Sequence, residues 1–279
     1  MQESFKRLPV TSNETCSLAM IRRVAAMLDL DPHSFSNGNV LPAGWHFFML
    51  AGETRRSSLR QDGFPGLGVP IPDLGLPRLL LGGRTVSYHG NILIGAELER
   101  TSFIKNITEK TSSSGPMAIV TIQHELRVAL ASSPAIIETQ TYLLLSGKSV
   151  QTKVKKTLPV PVLNKYHKQL IPDETLLFQY SALGFNSHKI HLDRDYTTKV
   201  EGLPDLVVNG GLATLLLTEF IRNELALHIT DIKVKHTAPL YCGRVMTLYA
   251  EPAETNWQLK IFDNNNAVAV EMDVTIKLS

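Results

Sequence analysis

Cysteine is scarce. Two in 279 residues, Cys16 and Cys242, exclude a disulfide framework and any four-cysteine zinc site, and they suit a reducing compartment. No apolar run reaches the length of a membrane span, because the longest are broken by charge or proline within about a dozen residues. Residues 1–15 hold acids and a proline but no apolar segment, so neither secretion nor mitochondrial import is encoded there. The expectation is a cytoplasmic protein, or one of the mitochondrial matrix in a eukaryote. An excess of charge is also missing. Lys and Arg number 28 against 26 Asp and Glu, a net of +2, and the one basic cluster is Lys153-Val154-Lys155-Lys156. Nucleic-acid binding normally needs a basic face, so neither nucleic acid nor membrane is expected as a partner. What the chain does have is core material. Hydrophobic residues make up 43%, enough for one large domain or two ordinary ones.

Near the N-terminus Leu18, Ile21, Val24, Ala25 and Leu28 recur at helical spacing, with Asn13 or Thr15 as cap and Asp31-Pro32 as stop. An aromatic cluster, Gly44 to Met49, precedes a Pro- and Gly-rich segment over residues 52–78, too long for a plain connection and read as a flap. Strand patterns follow over residues 85–89, 96–106, 117–128 and 136–145. A polar stretch, residues 146–170, reads as a linker between an N-terminal unit (1–145) and a C-terminal unit (171–279). The second unit repeats the first. Val86 to Gly95 aligns without gaps on Val234 to Gly243, and the order of elements around the two segments agrees. Duplicated helix-plus-antiparallel-strand units make an α+β protein.

The most informative stretch runs from Phe178 to Phe220. It passes through Asn186, His188, His191 and Asp193, then reaches Asn209-Gly210-Gly211 ahead of an apolar run, Leu212 to Phe220, that reads as a buried helix. The glycine pair then lies at a helix N-terminus, where unpaired N–H groups and the dipole favour an oxyanion. A histidine and such a terminus are the parts that chemistry on an activated carbonyl needs.

These residues resemble the MaoC-like hydratases and dehydratases. The closer match is to a subgroup reading YSALTFN-x-HRIHYD, which includes mesaconyl-CoA and itaconyl-CoA hydratases and fungal-type 3-hydroxyacyl-thioester dehydratases. Tyr180 to Leu183, Phe185-Asn186 and His188 to Asp193 carry that match. Leu41 to Phe47 and Gly82-Gly83-Arg84 look like first-half signatures. The resemblance implies a tandem (double) hot-dog fold, each half an antiparallel sheet around a central helix, with the first half degenerate and the second catalytic. It implies a hydro-lyase that hydrates an enoyl-CoA without metal or redox cofactor, coenzyme A being part of the substrate.

In that reading His191 is the general acid and base. Asn186 stands where the family has Asp and can orient a water or a ring N–H but not accept a proton. Asp193, two residues past His191 on what reads as an extended segment, should point the same way and is the candidate second acid; it reads equally well as a turn cap. Gly210 and Gly211 would form the oxyanion site, although the family has His at Asn209. His188, Thr218, Trp45 and His46 are pocket candidates, each with a core or surface reading beside it. Arg84, Lys189 and Arg194 are candidates for coenzyme A phosphates, or ordinary solvated charges. His188-x-x-His191 lacks further ligands at metal spacing, so no metal is expected. The substrate reads as an acyl-CoA, with a short dicarboxylic acyl group first. Two alternatives stay open: a 3-hydroxyacyl-thioester dehydratase of fatty-acid metabolism using acyl carrier protein, and a non-catalytic thioester binder. Two copies in one chain already imitate a dimer, and a further homodimer is left open.

Overall fold

A computed structural model describes residues 8–112, 115–146, 166–254 and 256–277. Among these residues ten strands and three α-helices appear in the order β1 (Val10–Thr15), α1 (Leu18–Met27), β2 (Arg78–Tyr88), β3 (Glu97–Ser112), β4 (Gly115–Val128), β5 (Ile136–Leu145), β6 (His167–Leu170), α2 (Glu174–Leu183), α3 (Gly210–Phe220), β7 (Ile229–His236), β8 (Met246–Pro252), β9 (Asn256–Phe262) and β10 (Val268–Ile276). All strand pairs are antiparallel in one sheet ordered β1-β3-β4-β5-β2-β7-β10-β9-β8-β6. That order is one five-strand pattern given twice and joined where β2 meets β7. The join is tight. A Cβ on Gly83 would lie 2.3 Å from the Val234 carbonyl oxygen, so the second glycine of Gly82-Gly83 is required by close backbone approach.

The repeat extends to the helices. Each copy begins with an edge strand and a helix, and two residues past each helix comes a residue of positive φ, Asp29 (55°) after Met27 and Phe185 (48°) after Leu183. The next N–H then reaches back five residues in both, Leu30 to Ala25 and Asn186 to Ser181. The α1 cap is Ser17, whose Oγ accepts from Met20 N at 3.2 Å, rather than Asn13 or Thr15. Those two lie in β1, which pairs with β3. The helix stops at Met27, just before left-handed Asp29. Phe178 to Leu183 falls within α2, capped by Asp173. Residues 147–165 of the expected linker lie outside the described residues. Its end, His167–Leu170, is strand β6 on β8, so the second copy's sheet begins before residue 171. A largely exposed edge strand needs no apolar alternation, which is why it read as linker.

Helix α3 is the centre of the second copy, with nearly every side chain buried, Leu212, Leu215 and Leu217 completely. At roughly 2–3 kcal/mol per buried leucine, these three hold the helix against the sheet. In the first copy the matching backbone contact is Leu41 N to Ile92 O (2.9 Å), against Val208 N to Leu240 O (2.9 Å). Gly44 therefore matches Gly211. Only a five-residue 3-10 turn, Trp45–Met49, follows Gly44. The Pro- and Gly-rich segment takes over from there, its Phe64, Val69, Ile71, Leu74 and Leu76 packing on Ile104, Ala118, Val120 and Ile122 of the first sheet.

Candidate active site

Histidine 191 ends a 3-10 turn, Lys189–His191, and is 8% exposed. Its Nδ1 lies 2.7 Å from the Val207 carbonyl oxygen. A carbonyl only accepts, so Nδ1 carries the proton and Nε2 holds the lone pair. Burial, reinforced by the neighbouring His188 ring, pushes its pKa down to about 3, so the ring is neutral across the physiological range. Val207 lies three residues before the first residue of α3. The hydrogen bond thus ties the imidazole to the segment that delivers the helix N-terminus.

That terminus is open. Asn209 at the N-cap position makes no capping bond, and among the described residues the Gly210 and Gly211 N–H groups have no acceptor. The first copy shows the contrast. There Gly44 N–H donates to the Tyr88 hydroxyl at 2.9 Å, which closes the matching terminus. In the aligned ten-residue segments Tyr88 matches His236. The His236 Nε2 is sealed from solvent without a partner and lies 3.4 Å from the Cβ position of Gly210. Burial, with Arg84 adding to it, lowers the His236 pKa to about 3 as well. Gly211 faces Tyr180 and Arg84: a Cβ there would be 2.1 Å from the Tyr180 hydroxyl oxygen and 3.4 Å from Arg84 Nη2. Burial raises Tyr180 to about 12, so it keeps its proton. Asn209 donates to Ser181 Oγ (3.3 Å), and its Oδ1 is a buried acceptor with no donor.

The flap closes over the histidine turn. Ser187 Oγ donates to Gly63 O (2.7 Å) and Lys189 N to Asp62 O (2.8 Å). A Cβ on Gly63, whose φ is +77°, would be 2.3 Å from the Ser187 oxygen. His188 is pinched between Phe64 (ring centroids 5.4 Å) and His191 (5.5 Å), with Asp62 Oδ2 3.8 Å from its Nε2.

Of the residues singled out from the sequence, His188 and His191 pack on each other, and Val207 ties His191 to the segment that leads into Gly210 and Gly211; Asn186 is engaged locally. Its Oδ1 accepts from His188 N at 3.1 Å, an Asx turn that shapes the backbone instead of holding the His191 ring. Asp193 does not point with His191. The segment is a 3-10 turn, not a strand, and Asp193 is exposed and caps Tyr196 N at 2.9 Å. Thr218 is buried against Gly44, its hydroxyl donating to Leu215 O (2.8 Å). Trp45 is core, its Nε1 donating to Glu219 (2.7 Å). His46 is fully buried with Nε2 2.9 Å from Glu138 Oε2. Arg84 is 6% exposed and pairs with Glu138 (3.1 Å), so it is an interior group and not a solvated surface cation. Arg194 is taken up by Asp205 and Glu174, and Lys189 Nζ lies 5.1 Å from the Tyr196 ring centroid. His236, Tyr180 and Glu138 were missed. His236 had a signal, its place opposite Tyr88 in the internal repeat. Among the described residues no three His, Cys, Asp or Glu side chains converge as a metal site, and no helix is long and apolar enough to cross a membrane.

Comparison with known proteins adds sequence to geometry. The family described as hydroxyacyl-thioester dehydratase type 2 matches residues 44–242. The chain is 32% identical over 266 residues to a mesaconyl-C(4)-CoA hydratase of Chloroflexus aurantiacus, covering 93% of this chain and 92% of that one. HtdX of Mycobacterium tuberculosis shares the fold with a TM-score of 0.68 at 16% identity, over 96% of this chain and 99% of its own. Another M. tuberculosis protein, described as having a double hotdog fold, aligns with a TM-score of 0.61 at 12% identity, over 97% and 96%. The duplicated five-strand sheet is therefore a double hot-dog.

Proposed function

The chain belongs to the hydroxyacyl-thioester dehydratase type 2 family, whose named members are hydro-lyases, and on that footing we propose that it reversibly hydrates a short dicarboxylic enoyl-CoA of the mesaconyl or itaconyl kind. One observation carries this reading: a neutral, buried imidazole is fixed as the Nδ1–H tautomer by Val207, which lies three residues ahead of an open helix terminus.

In the forward direction Nε2 of His191 takes a proton from water as the water oxygen bonds to the β-carbon. The double-bond electrons move toward the thioester carbonyl, and the enolate oxygen accepts from the Gly210 and Gly211 amides. The proton on Nε2 then passes to the α-carbon, so one water has been added and the imidazole is restored. A single oxyanion donor contributes about 3 kcal/mol in comparable sites. Asn209 Oδ1, a sealed acceptor next to this terminus, is suited to the second hydrogen of the attacking water. Asn186 shapes the turn in place of a second acid, so one group moves both protons. No metal or redox group enters this scheme; coenzyme A arrives with the substrate.

Loss of absorbance of the conjugated thioester tests the reading with mesaconyl-, itaconyl-, crotonyl- and long-chain enoyl-CoA. Turnover of the short carboxylated substrates that falls by about 10²–10⁴-fold in His191→Gln is the expected result. Equal turnover by that variant would overturn it. Tight thioester binding without turnover in the unmutated protein would make it a binder instead.

A further inference from the structure

The two copies line their interiors with opposite chemistry. Strand register equates their positions once Val86 is matched to Val234. Arg84 opposite Gln140 then stands where Ile232 opposite Val274 stands in the second copy. Glu138 occupies the place of Met272, His124 that of Leu259, Ser102 that of Ala250 and Arg100 that of Leu248. All of these residues are buried. One fold has therefore been built with an apolar wall around its central helix and a polar wall where that helix is missing.

Most of the polar set is satisfied within the protein. Arg100 donates to the Met49 and Ala51 carbonyls (3.1 and 2.7 Å), and Ser102 bonds His124 (2.8 Å). Glu138 is held by His46 (2.9 Å) and by Gln140 Nε2 (2.7 Å). Burial alone would raise its pKa, but Arg84 and His46 overcome that and hold it at about 2. Arg84 is the exception. Its Nη1 is ion-paired with Glu138 Oε1 at 3.1 Å but is not aligned for a hydrogen bond, and Nε, also sealed from solvent, has no hydrogen-bond partner among the described residues. The guanidinium lies 4.0 Å from the Phe47 ring centroid, with Nη2 against the Gly211 end of α3. Idle donors on a buried guanidinium call for a ligand, and its planar fork matches a carboxylate.

We propose that Arg84 binds the free carboxylate of the acyl group while the thioester carbonyl sits at the α3 amides. This rests on the hydratase reading and names the group that sets its specificity. Three carbon–carbon bonds separate the two ends of such an acyl group, a span of roughly 4 Å, so anchor and amides must be close neighbours, as Arg84 and Gly211 are. Glu138, fixed from its other side by His46 and Gln140, aims the fork and balances its charge when the site is empty.

Calorimetric binding of two non-hydratable probes, methylsuccinyl-CoA with a free carboxylate and butyryl-CoA without one, tests this apart from turnover. The unmutated protein should prefer methylsuccinyl-CoA. The paired variant Arg84→Met/Glu138→Gln, which leaves no lone buried charge, should lose about 100-fold of that preference. Arg84→Lys, a point charge without the fork, should lose about tenfold and serves if the pair does not fold. Equal affinity for both probes in the unmutated protein, or a preference unchanged in the folded variants, would overturn the assignment. A preference present without turnover of any enoyl-CoA would remove the hydratase reading and leave the carboxylate site standing.

Discussion

Replacing Gly211 with alanine sets two effects of opposite sign against each other. Gly211 is in the first turn of α3 with no positive φ, so alanine should gain about 1 kcal/mol from helix propensity. The new methyl, however, would lie 2.1 Å from the Tyr180 hydroxyl oxygen and 3.1 Å from its Cζ. The ring would have to move by about an ångström in a close-packed core. Tyr180 is buried with Phe48 packed on it, ring centroids 5.3 Å apart. Overpacking of this kind costs about 1–3 kcal/mol, so the net expectation is a loss of up to about 2 kcal/mol.

Tyr180→Phe removes the worst contact and leaves the milder one. The double variant should recover most of the loss, with a coupling energy of about 1–2 kcal/mol. Urea denaturation of the four proteins, followed by circular dichroism, measures it. Turnover should behave differently, because the methyl stays beside the amide in both alanine variants: stability returns and activity does not. A Gly211→Ala protein that is more stable than the parent, or strictly additive effects, would refute the packing argument.

Three further outcomes follow from the same structure. The pKa values of His191 and His236 are both depressed to about 3 from an unfolded value near 6.5, so below pH 6.5 the unfolded chain binds more protons and stability falls on acidification, by up to about 1.4 kcal/mol per pH unit for each histidine until about pH 3. Urea midpoints at pH 7, 6, 5 and 4 should show this slope, reduced by about one proton in His236→Gln. Trp45→Phe removes a buried hydrogen bond to Glu219, which Arg222 and Asn223 still hold, and should cost about 1–2 kcal/mol in chemical denaturation. Thr218→Val should leave kcat within about twofold, because the hydroxyl is bound to Leu215 O; a loss near 100-fold would return Thr218 to the pocket.

Much of the fold is legible because its signals are local. The unbroken run from Leu212 to Phe220 permits little but a buried helix, and the ten-residue repeat gives the duplication at the strands that join the two copies. The histidine motif is equally local, but the direction of its side chains is not. Asp193 was placed beside His191 by a two-residue period that holds only on extended backbone, and the turn there is 3-10. The polar interior of the first copy is harder still. In β5, Glu138 and Gln140 alternate with Ile137, Thr139 and Thr141, and such alternation normally assigns the polar residues to solvent. Here Ile136, Glu138 and Gln140 face inward. Only the register, which places Arg84, His124 and Ser102 against them from other strands, reveals the reversal.

That reversal bears on why a duplicated fold would hold one site and not two. Each copy offers the same segment delivering a helix start, yet Tyr88 closes the first at Gly44, and Phe35 stands in the place of His191, five residues past Leu30 as His191 is past Asn186. In the proposed mechanism the second copy keeps its terminus open and supplies His191, but its positions matching Arg84, Glu138, His124, Ser102 and Arg100 are all apolar and offer nothing to a charged acyl group. The missing polarity comes across the β2–β7 join, where Arg84 is paired with Val234 and reaches toward Gly211. Loss of the first copy's central helix and gain of its buried charges are then one adaptation: with a long apolar helix in place of the 3-10 turn, Arg84 and Glu138 would have to be as apolar as Ile232 and Met272.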